Sequence, residues 1–219
     1  MINFNFEDIG NYRYFSEKTF NPHTFDRLTE QYPSSSKFED FDGNNRRNNQ
    51  REHKKKFLSF NSKIKDNLFE TSAINSEWEG FIDYFKSEDY INKVKNLLNI
   101  DDFDIGFEWS IMEDGSDLCP HSDCCRKLAS HVFFFPHLCW RGGGGDFIFL
   151  DGNDNDKNPE IDEFENKLTI KYKDNSSILF KNSKDYRNWH TVTKVKSNIA
   201  RRVFQIIFWA KGEVNCYQT

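Results

Sequence analysis

The sequence predicts an α+β fold, with helices first and an antiparallel sandwich or barrel after them. Apolar residues recur at helical spacing up to about Asn99 and then switch to alternation in short runs. Turn-rich joints separate those runs, and no helical pattern falls between them, so the strands pair as antiparallel neighbours. No linker composition divides the two halves. The chain therefore reads as a single domain over 1–219, with a helical part at 1–99 and a β part at 100–219.

The elements follow in order. His23 to Tyr32 places Phe25, Leu28 and Tyr32 on one side of a short helix that Pro33 ends. Residues 34–56 hold little that could be buried and read as a mobile polar loop. Its basic run, 46–56, is a solvated segment or, on a sharper reading, a lid or a nucleic-acid contact. A helix over 76–85 carries Trp78, Phe81, Ile82 and Phe85 on one face, with Ser76 as its cap and Glu79 three residues on. A further helix over 89–98 repeats the pattern through Tyr90, Val94, Leu97 and Leu98. These aromatics are packing faces for a sheet. Strands are expected in the run holding Phe103, Phe107 and Trp109, and over 128–135, 146–150, 168–172, 177–180 and 202–209.

Burial rests on aromatics, since Phe alone contributes 23 of the 219 residues. A net charge of −5 argues against a general nucleic-acid binder. The N-terminus lacks a basic region followed by an apolar run, and no apolar stretch approaches the roughly 20 residues that span a bilayer. Five cysteines, four of them between 119 and 139, do not form a secreted disulfide framework. A soluble cytoplasmic protein is expected.

The chemistry is expected at His121-Ser122-Asp123 and, far downstream, His190. An imidazole and a carboxylate two residues apart can both turn inward at the end of a strand. A second imidazole from a later strand completes two histidines and one carboxylate on one face of a metal, the facial triad of non-haem Fe(II) oxygenases.

Around this triplet the sequence resembles the Fe(II)- and 2-oxoglutarate-dependent dioxygenases, in particular their prolyl 4-hydroxylase-like branch. The likeness runs from about Ile105 to Trp209. It is carried in order by Trp109, Gly115, His121-x-Asp123, the run from Lys127 to Trp140, Gly144-Gly145-Asp146-Phe147, His190-Thr191-Val192, Val195 and Arg201. The resemblance implies a double-stranded β-helix (jelly-roll, cupin-like) core over 100–219, with the N-terminal helices packed on one sheet. It implies Fe(II) on His121, Asp123 and His190, with 2-oxoglutarate and O2 as co-substrates and ascorbate as a further candidate. The reaction would couple oxidative decarboxylation of 2-oxoglutarate to C–H oxidation of a small molecule or peptidyl residue. Asp123 fills the position that is small in halogenating relatives, which implies hydroxylation.

The distal carboxylate of the co-substrate needs a fixed cation, and a guanidinium offers it a bidentate fork. Arg201 and Arg202 compete for that role. Alternation puts Arg201 with Val203 and Gln205, which fits the family's small and polar followers better than Phe204 and Ile206 do. Arg201 is the first choice and Arg202 the second. The family often has Tyr where this chain has Phe133-Phe134-Phe135-Pro136, so another residue must support the co-substrate here.

Other groups take plainer readings. His131 and His137 read as satisfied core or rim residues, and His23 and His53 as surface. A zinc site from Cys119, His121, Cys124, Cys125 and Cys139 lacks paired Cys-x-x-Cys spacing. Gly142 to Gly145 lead into a strand rather than a helix and read as a turn, not a phosphate cradle. Asp151 to Asp156 read as a hairpin loop, since the closing Glu of a calcium loop is missing. Two other functions stand beside the oxygenase reading: a non-catalytic jelly-roll binding module, and a nucleic-acid-directed oxygenase using the 46–56 loop. No membrane partner is expected, and nucleic acid is disfavoured by charge.

Overall fold

Strand alternation sorts the β half into three apolar layers. The computed structural model describes residues 2, 4–40, 55–60, 74–124, 126–152, 159–182 and 188–211. One sheet contains β1 (Glu7–Asp8), β2 (Arg13–Glu17), β3 (Glu39–Asp40), β4 (Lys56–Phe60), β5 (Phe103–Met112), β7 (Lys127–Phe134), β10 (Ser176–Lys181) and β12 (Arg201–Ala210). The other contains β6 (Leu118–His121), β8 (Phe147–Asp151), β9 (Asn166–Ile170) and β11 (Trp189–Val192). Their orders are β1-β2-β10-β7-β12-β5-β4-β3 and β6-β11-β8-β9. Neighbours pair antiparallel throughout, as expected.

Along β12 the even positions Phe204, Ile206 and Phe208 join the layer that holds the helices. Val203 instead joins Val132, Phe134, Ile178 and Phe180 against Phe147, Phe149, Ile170 and Val192 of the other sheet. The interior between the sheets is thus one layer and the helix–sheet interface another. A third, smaller layer of Ile148, Leu150, Phe164 and Trp189 covers the far face of the smaller sheet.

Helices α1 (Pro22–Glu30), α2 (Ser76–Phe85) and α3 (Glu88–Leu98) form where their apolar spacing predicts. Their caps are Asn21, Asn75 and Ser87, whose side chains accept from Thr24, Trp78 and Tyr90 N–H groups. Asn75, not Ser76, therefore opens α2. Trp78 packs edge-on to Trp109 with ring centroids 5.2 Å apart, and lies 5.1 Å from Phe204.

The structure differs from expectation at four strands, β1 to β4, all within the part read as helical. The end of the polar segment 34–56 pairs with the large sheet through Lys56 and Phe57, opposite Asp40 and Glu39. Strand β4 is only five residues long and directly follows a basic run, so Phe57, Leu58 and Phe60 form too short an apolar stretch to stand out as a strand. In β2 the buried positions are Arg13 and Ser16, which leaves no apolar alternation to read. The basic residues 46–54, His53 among them, lie outside the described residues, so the lid and nucleic-acid readings find no support here. His23 is exposed, as expected.

His131 is a satisfied core histidine. Its Nδ1 meets the Tyr90 hydroxyl at 2.8 Å and its Nε2 meets Ser177 Oγ at 3.0 Å. Burial pushes its pKa well below the usual imidazole range. The unfolded chain therefore takes up a proton below about pH 6.5 that the folded chain refuses. Stability falls with acidification by at most about 1.4 kcal/mol per pH unit from this residue. In urea unfolding at pH 7 and pH 5, His131→Gln is expected to show a shallower pH slope than the wild type.

Candidate active site

Three side chains converge on the interior at one end of the smaller sheet. His190 faces inward from β11 between Trp189, which belongs to the outer layer, and Thr191. His121 ends β6 and pairs with His190, while Leu118 pairs with Val192. Four residues of β6 (118–121) thus run against three of β11 (190–192). That extra residue is a bulge, and it turns both Leu118 and His121 toward the interior. Asp123 follows just beyond the strand. Ligand atoms of His121, Asp123 and His190 all lie within 4.8 Å of one another.

The donor set is prepared for a divalent cation. His121 Nδ1 bonds the Cys119 carbonyl at 2.9 Å, and His190 Nδ1 bonds the Asn188 carbonyl at 2.8 Å. A carbonyl accepts only, so each Nδ1 carries the proton and each Nε2 is left as a lone-pair donor. The imidazole centroids are 4.2 Å apart. Burial lowers the His190 pKa, outweighing the pull of Asp123, so this ring is neutral near pH 7. Burial raises the Asp123 pKa, but the Lys127 ammonium and both imidazoles outweigh it and hold the carboxyl well below the usual range. Lys127 Nζ donates to Asp123 Oδ1 and Asn182 Nδ2 to Oδ2, each at 3.0 Å. The residues fit a facial two-histidine, one-carboxylate metal site.

Lys127 and Asp123 side chains are each 12% exposed, so removing one partner strands a buried charge. Lys127→Met is expected to lower the unfolding free energy of the metal-free protein by about 3–5 kcal/mol at neutral pH. Because the folded Asp123 pKa is depressed below 3.8, that deficit shrinks as pH falls through the carboxylate range. A divalent cation compensates the stranded carboxylate. Co(II) should therefore raise the melting temperature of the variant more than that of the wild type.

Behind His190 stands an aromatic wall. Phe147 stacks on it at 5.1 Å and Phe180 meets it edge-on at 5.3 Å. Further along the same interior lies Arg201, 3% exposed. Its Nε donates to the Gly145 carbonyl at 2.7 Å and its Nη1 reaches only the Met112 sulfur, at 3.8 Å. Among the described residues no carboxylate pairs with it. Burial lowers its pKa to about 10, which leaves it protonated at neutral pH.

Arg202 points the other way. Its guanidinium lies 5.1 Å over the Tyr32 ring, and its Nη1 donates to the Thr29 carbonyl of α1 at 3.4 Å. The glycine run is a turn in which Gly142, Gly144 and Gly145 have no room for a side chain, while Gly143 faces open space. A Cβ on Gly145, where φ is +71°, would stand 2.8 Å from Arg201 Cδ.

Sequence reasoning missed several residues around this site. Lys127 and Asn182 hold Asp123 from β7 and the end of β10, with no motif to announce them. Tyr172 turns its ring to the Arg201 guanidinium at 4.9 Å. Its hydroxyl is engaged by the backbone of Arg202, accepting from N at 2.8 Å and donating to O at 3.0 Å. No cysteine joins the metal-capable group among the described residues, and Cys125 lies outside them. Asp151 pairs with Arg13 at 2.5 Å, so it is not free for a calcium loop, whose remaining positions 153–156 are also outside the described residues. His137 accepts from the Cys139 N–H in a surface turn.

No protein-family model matches the chain, and no curated protein matches it by sequence. Solved structures do match by shape. A prolyl-4-hydroxylase from Pseudomonas putida aligns with a TM-score of 0.61 at 10% identity, covering 91% of this chain and 92% of that one. A prolyl hydroxylase from Trichoplax adhaerens, in complex with a hypoxia inducible factor oxygen degradation domain peptide, gives 0.63 at 13% identity, covering 92% and 84%. HygX from Streptomyces hygroscopicus, with nickel, 2-oxoglutarate and hygromycin B bound, gives 0.59 at 8%, covering 92% and 84%. The chain has the prolyl-hydroxylase-like fold. Likeness at this identity fixes the architecture, and the chemistry has to come from the site itself. Among the described residues no helix is long and apolar enough to cross a membrane.

Proposed function

We propose that this chain is an Fe(II)- and 2-oxoglutarate-dependent oxygenase that hydroxylates a small molecule or a peptidyl residue. One observation carries the reading. A buried arginine that has no carboxylate partner among the described residues shares its interior with an inward-facing His, Asp and His set. An unpaired buried cation is costly unless an anion joins it, and the terminal carboxylate of 2-oxoglutarate is such an anion. A module that only bound a metal would have no use for that cation.

His121, Asp123 and His190 would hold the iron, which when bound supplies O2 activation coupled to decarboxylation of 2-oxoglutarate. Arg201 would anchor the co-substrate, oriented by the Tyr172 ring and the Gly145 carbonyl. Tyr172 thus does by stacking what the expected tyrosine of β7 would do by its hydroxyl. Phe147 and Phe180 exclude water behind His190. Asp123, fixed by Lys127 and Asn182, occupies the ligand position that a halide would need, which favours hydroxylation. HygX holds a small molecule and the Trichoplax enzyme a peptide, so both substrate classes stay within this reading. A reducing, cytoplasmic setting for a single-domain protein is consistent with the thiols of Cys124 and Cys139, which form no disulfide among the described residues.

Anaerobic addition of Fe(II) and 2-oxoglutarate tests the proposal. A visible metal-to-ligand charge-transfer band is expected, followed by succinate on admission of air. A folded protein showing neither would refute it.

A further inference from the structure

Asn188 sits immediately before β11, fully buried, and its backbone carbonyl and both ends of its side chain are hydrogen-bonded. Its carbonyl accepts from His190 Nδ1 at 2.8 Å. Its side-chain Nδ2 donates to the carbonyl of Lys181, the residue before Asn182, and Asn182 in turn holds Asp123 Oδ2 at 3.0 Å. Its Oδ1 accepts from Arg13 Nε at 2.6 Å. Asn188 therefore stands behind two of the three candidate ligands, His190 through its backbone carbonyl and Asp123 through the Lys181–Asn182 segment that its side chain holds, and a single guanidinium holds that side chain.

Arg13 comes from β2, at the N-terminal end of the chain, and is 2% exposed. Its Nη1 and Nη2 form a fork onto Asp151 at 2.7 and 2.5 Å. Its guanidinium carbon lies 4.4 Å over the ring of Phe149. Phe149 packs against Phe147 at 4.9 Å and Phe180 at 5.3 Å, the two rings that flank His190. Arg13 thus supports His190 by two routes, through the Asn188 amide and through the aromatic wall. Asp151 matters for charge as well as geometry, because an unpaired guanidinium this near would repel a divalent cation.

We propose that Arg13, held by Asp151, is a positioning residue for the metal centre. Through Asn188 it fixes the orientation and tautomer of His190 and steadies the Asp123 side. The proposal rests on reading His121, Asp123 and His190 as the metal site. The partner behind a ligating histidine typically contributes about 10–100-fold to metal affinity.

The test is Co(II) binding to the full chain, followed by visible absorption and compared across variants. Arg13→Gln should bind Co(II) more weakly than the wild type, by up to the roughly 10–100-fold of a direct histidine partner, with an altered visible spectrum. Arg13→Lys keeps charge but loses the fork and should fall between them. Asp151→Asn, at a residue whose side chain is 32% exposed and so tolerant of change, should also weaken Co(II). Tyr90→Phe removes a buried hydrogen bond in the helix layer and serves as a destabilised control whose Co(II) affinity is unchanged. If Arg13→Gln does not fold, Arg13→Lys and Asp151→Asn decide the matter. Wild-type affinity and spectrum in all the Arg13 and Asp151 variants that fold overturns the proposal. If the wild type itself binds Co(II) no better than His190→Ala, the triad reading fails first, and the two failures are told apart.

Discussion

His121→Ala is expected to fold and to lose its divalent metal. The side chain is only partly buried at the end of a short edge strand, so its removal leaves no large cavity in the core. Its Nε2 is one of three candidate ligand atoms, and no other His, Cys, Asp or Glu among the described residues joins the group to replace it. Losing a direct ligand should exceed the roughly 10–100-fold loss that attends removal of the partner behind one. Calorimetric titration with Co(II) measures this directly. Thermal unfolding gives a second readout, because a ligand at about 100 times its dissociation constant stabilises the native state by about 2.7 kcal/mol. The wild type should gain on this scale under matched Co(II), and His121→Ala should gain nothing. His131→Gln supplies the contrast. That histidine is equally central in sequence but buried in the helix layer, and its loss should leave the Co(II) response intact. A Co(II)-dependent rise in melting temperature in His121→Ala equal to that of the wild type would place the metal elsewhere.

What the sequence disclosed about this site follows from where the signal lay. His121 and Asp123 are local, and a triplet two residues apart can be read without a fold. His190 was reachable through the ordered series of the family resemblance, and Arg201 because it leads a strand-like run along which faces could be assigned. Alternation along β12 separates Arg201 from Arg202, and the same rule puts Phe204 and Phe208 on the helices. The helices themselves were legible because three or four apolar residues per element point one way. Arg13, Asn182 and Asn188 were not legible. Their pairings span 138, 59 and 7 residues, and a polar side chain holding another polar side chain leaves no periodicity. The strand β2 was hidden for the same reason, since its buried face is Arg13 and Ser16. Tyr172 was missed because its role depends on a loop that brings its ring onto Arg201.

Arg201→Ala should separate co-substrate binding from folding. In the absence of an anion, Arg201 contributes one hydrogen bond to Gly145 and its packing on Tyr172, while its buried charge costs free energy. The two effects oppose, so the variant should melt within a few degrees of the wild type. Binding of 2-oxoglutarate has no such offset. Truncating one member of a buried, hydrogen-bonded charge pair costs about 2–5 kcal/mol, or roughly 30- to 5,000-fold in affinity. Titration of the anaerobic Fe(II) protein with 2-oxoglutarate, read at the charge-transfer band, should show that loss while Fe(II) affinity stays near wild type. Arg202→Ala should do the reverse. It loses contacts with Tyr32 and the end of α1, so its melting temperature drops, yet its 2-oxoglutarate titration is unchanged. Gly145→Ala lies between, since its Cβ would press on Arg201 Cδ from a left-handed backbone position. It should weaken 2-oxoglutarate by displacing the guanidinium without removing it. A co-substrate defect in Arg202→Ala with none in Arg201→Ala would mean that the anion is held on the helix side of the large sheet, away from the metal ligands. The interior shared by Arg201 and the triad would then have no role in catalysis.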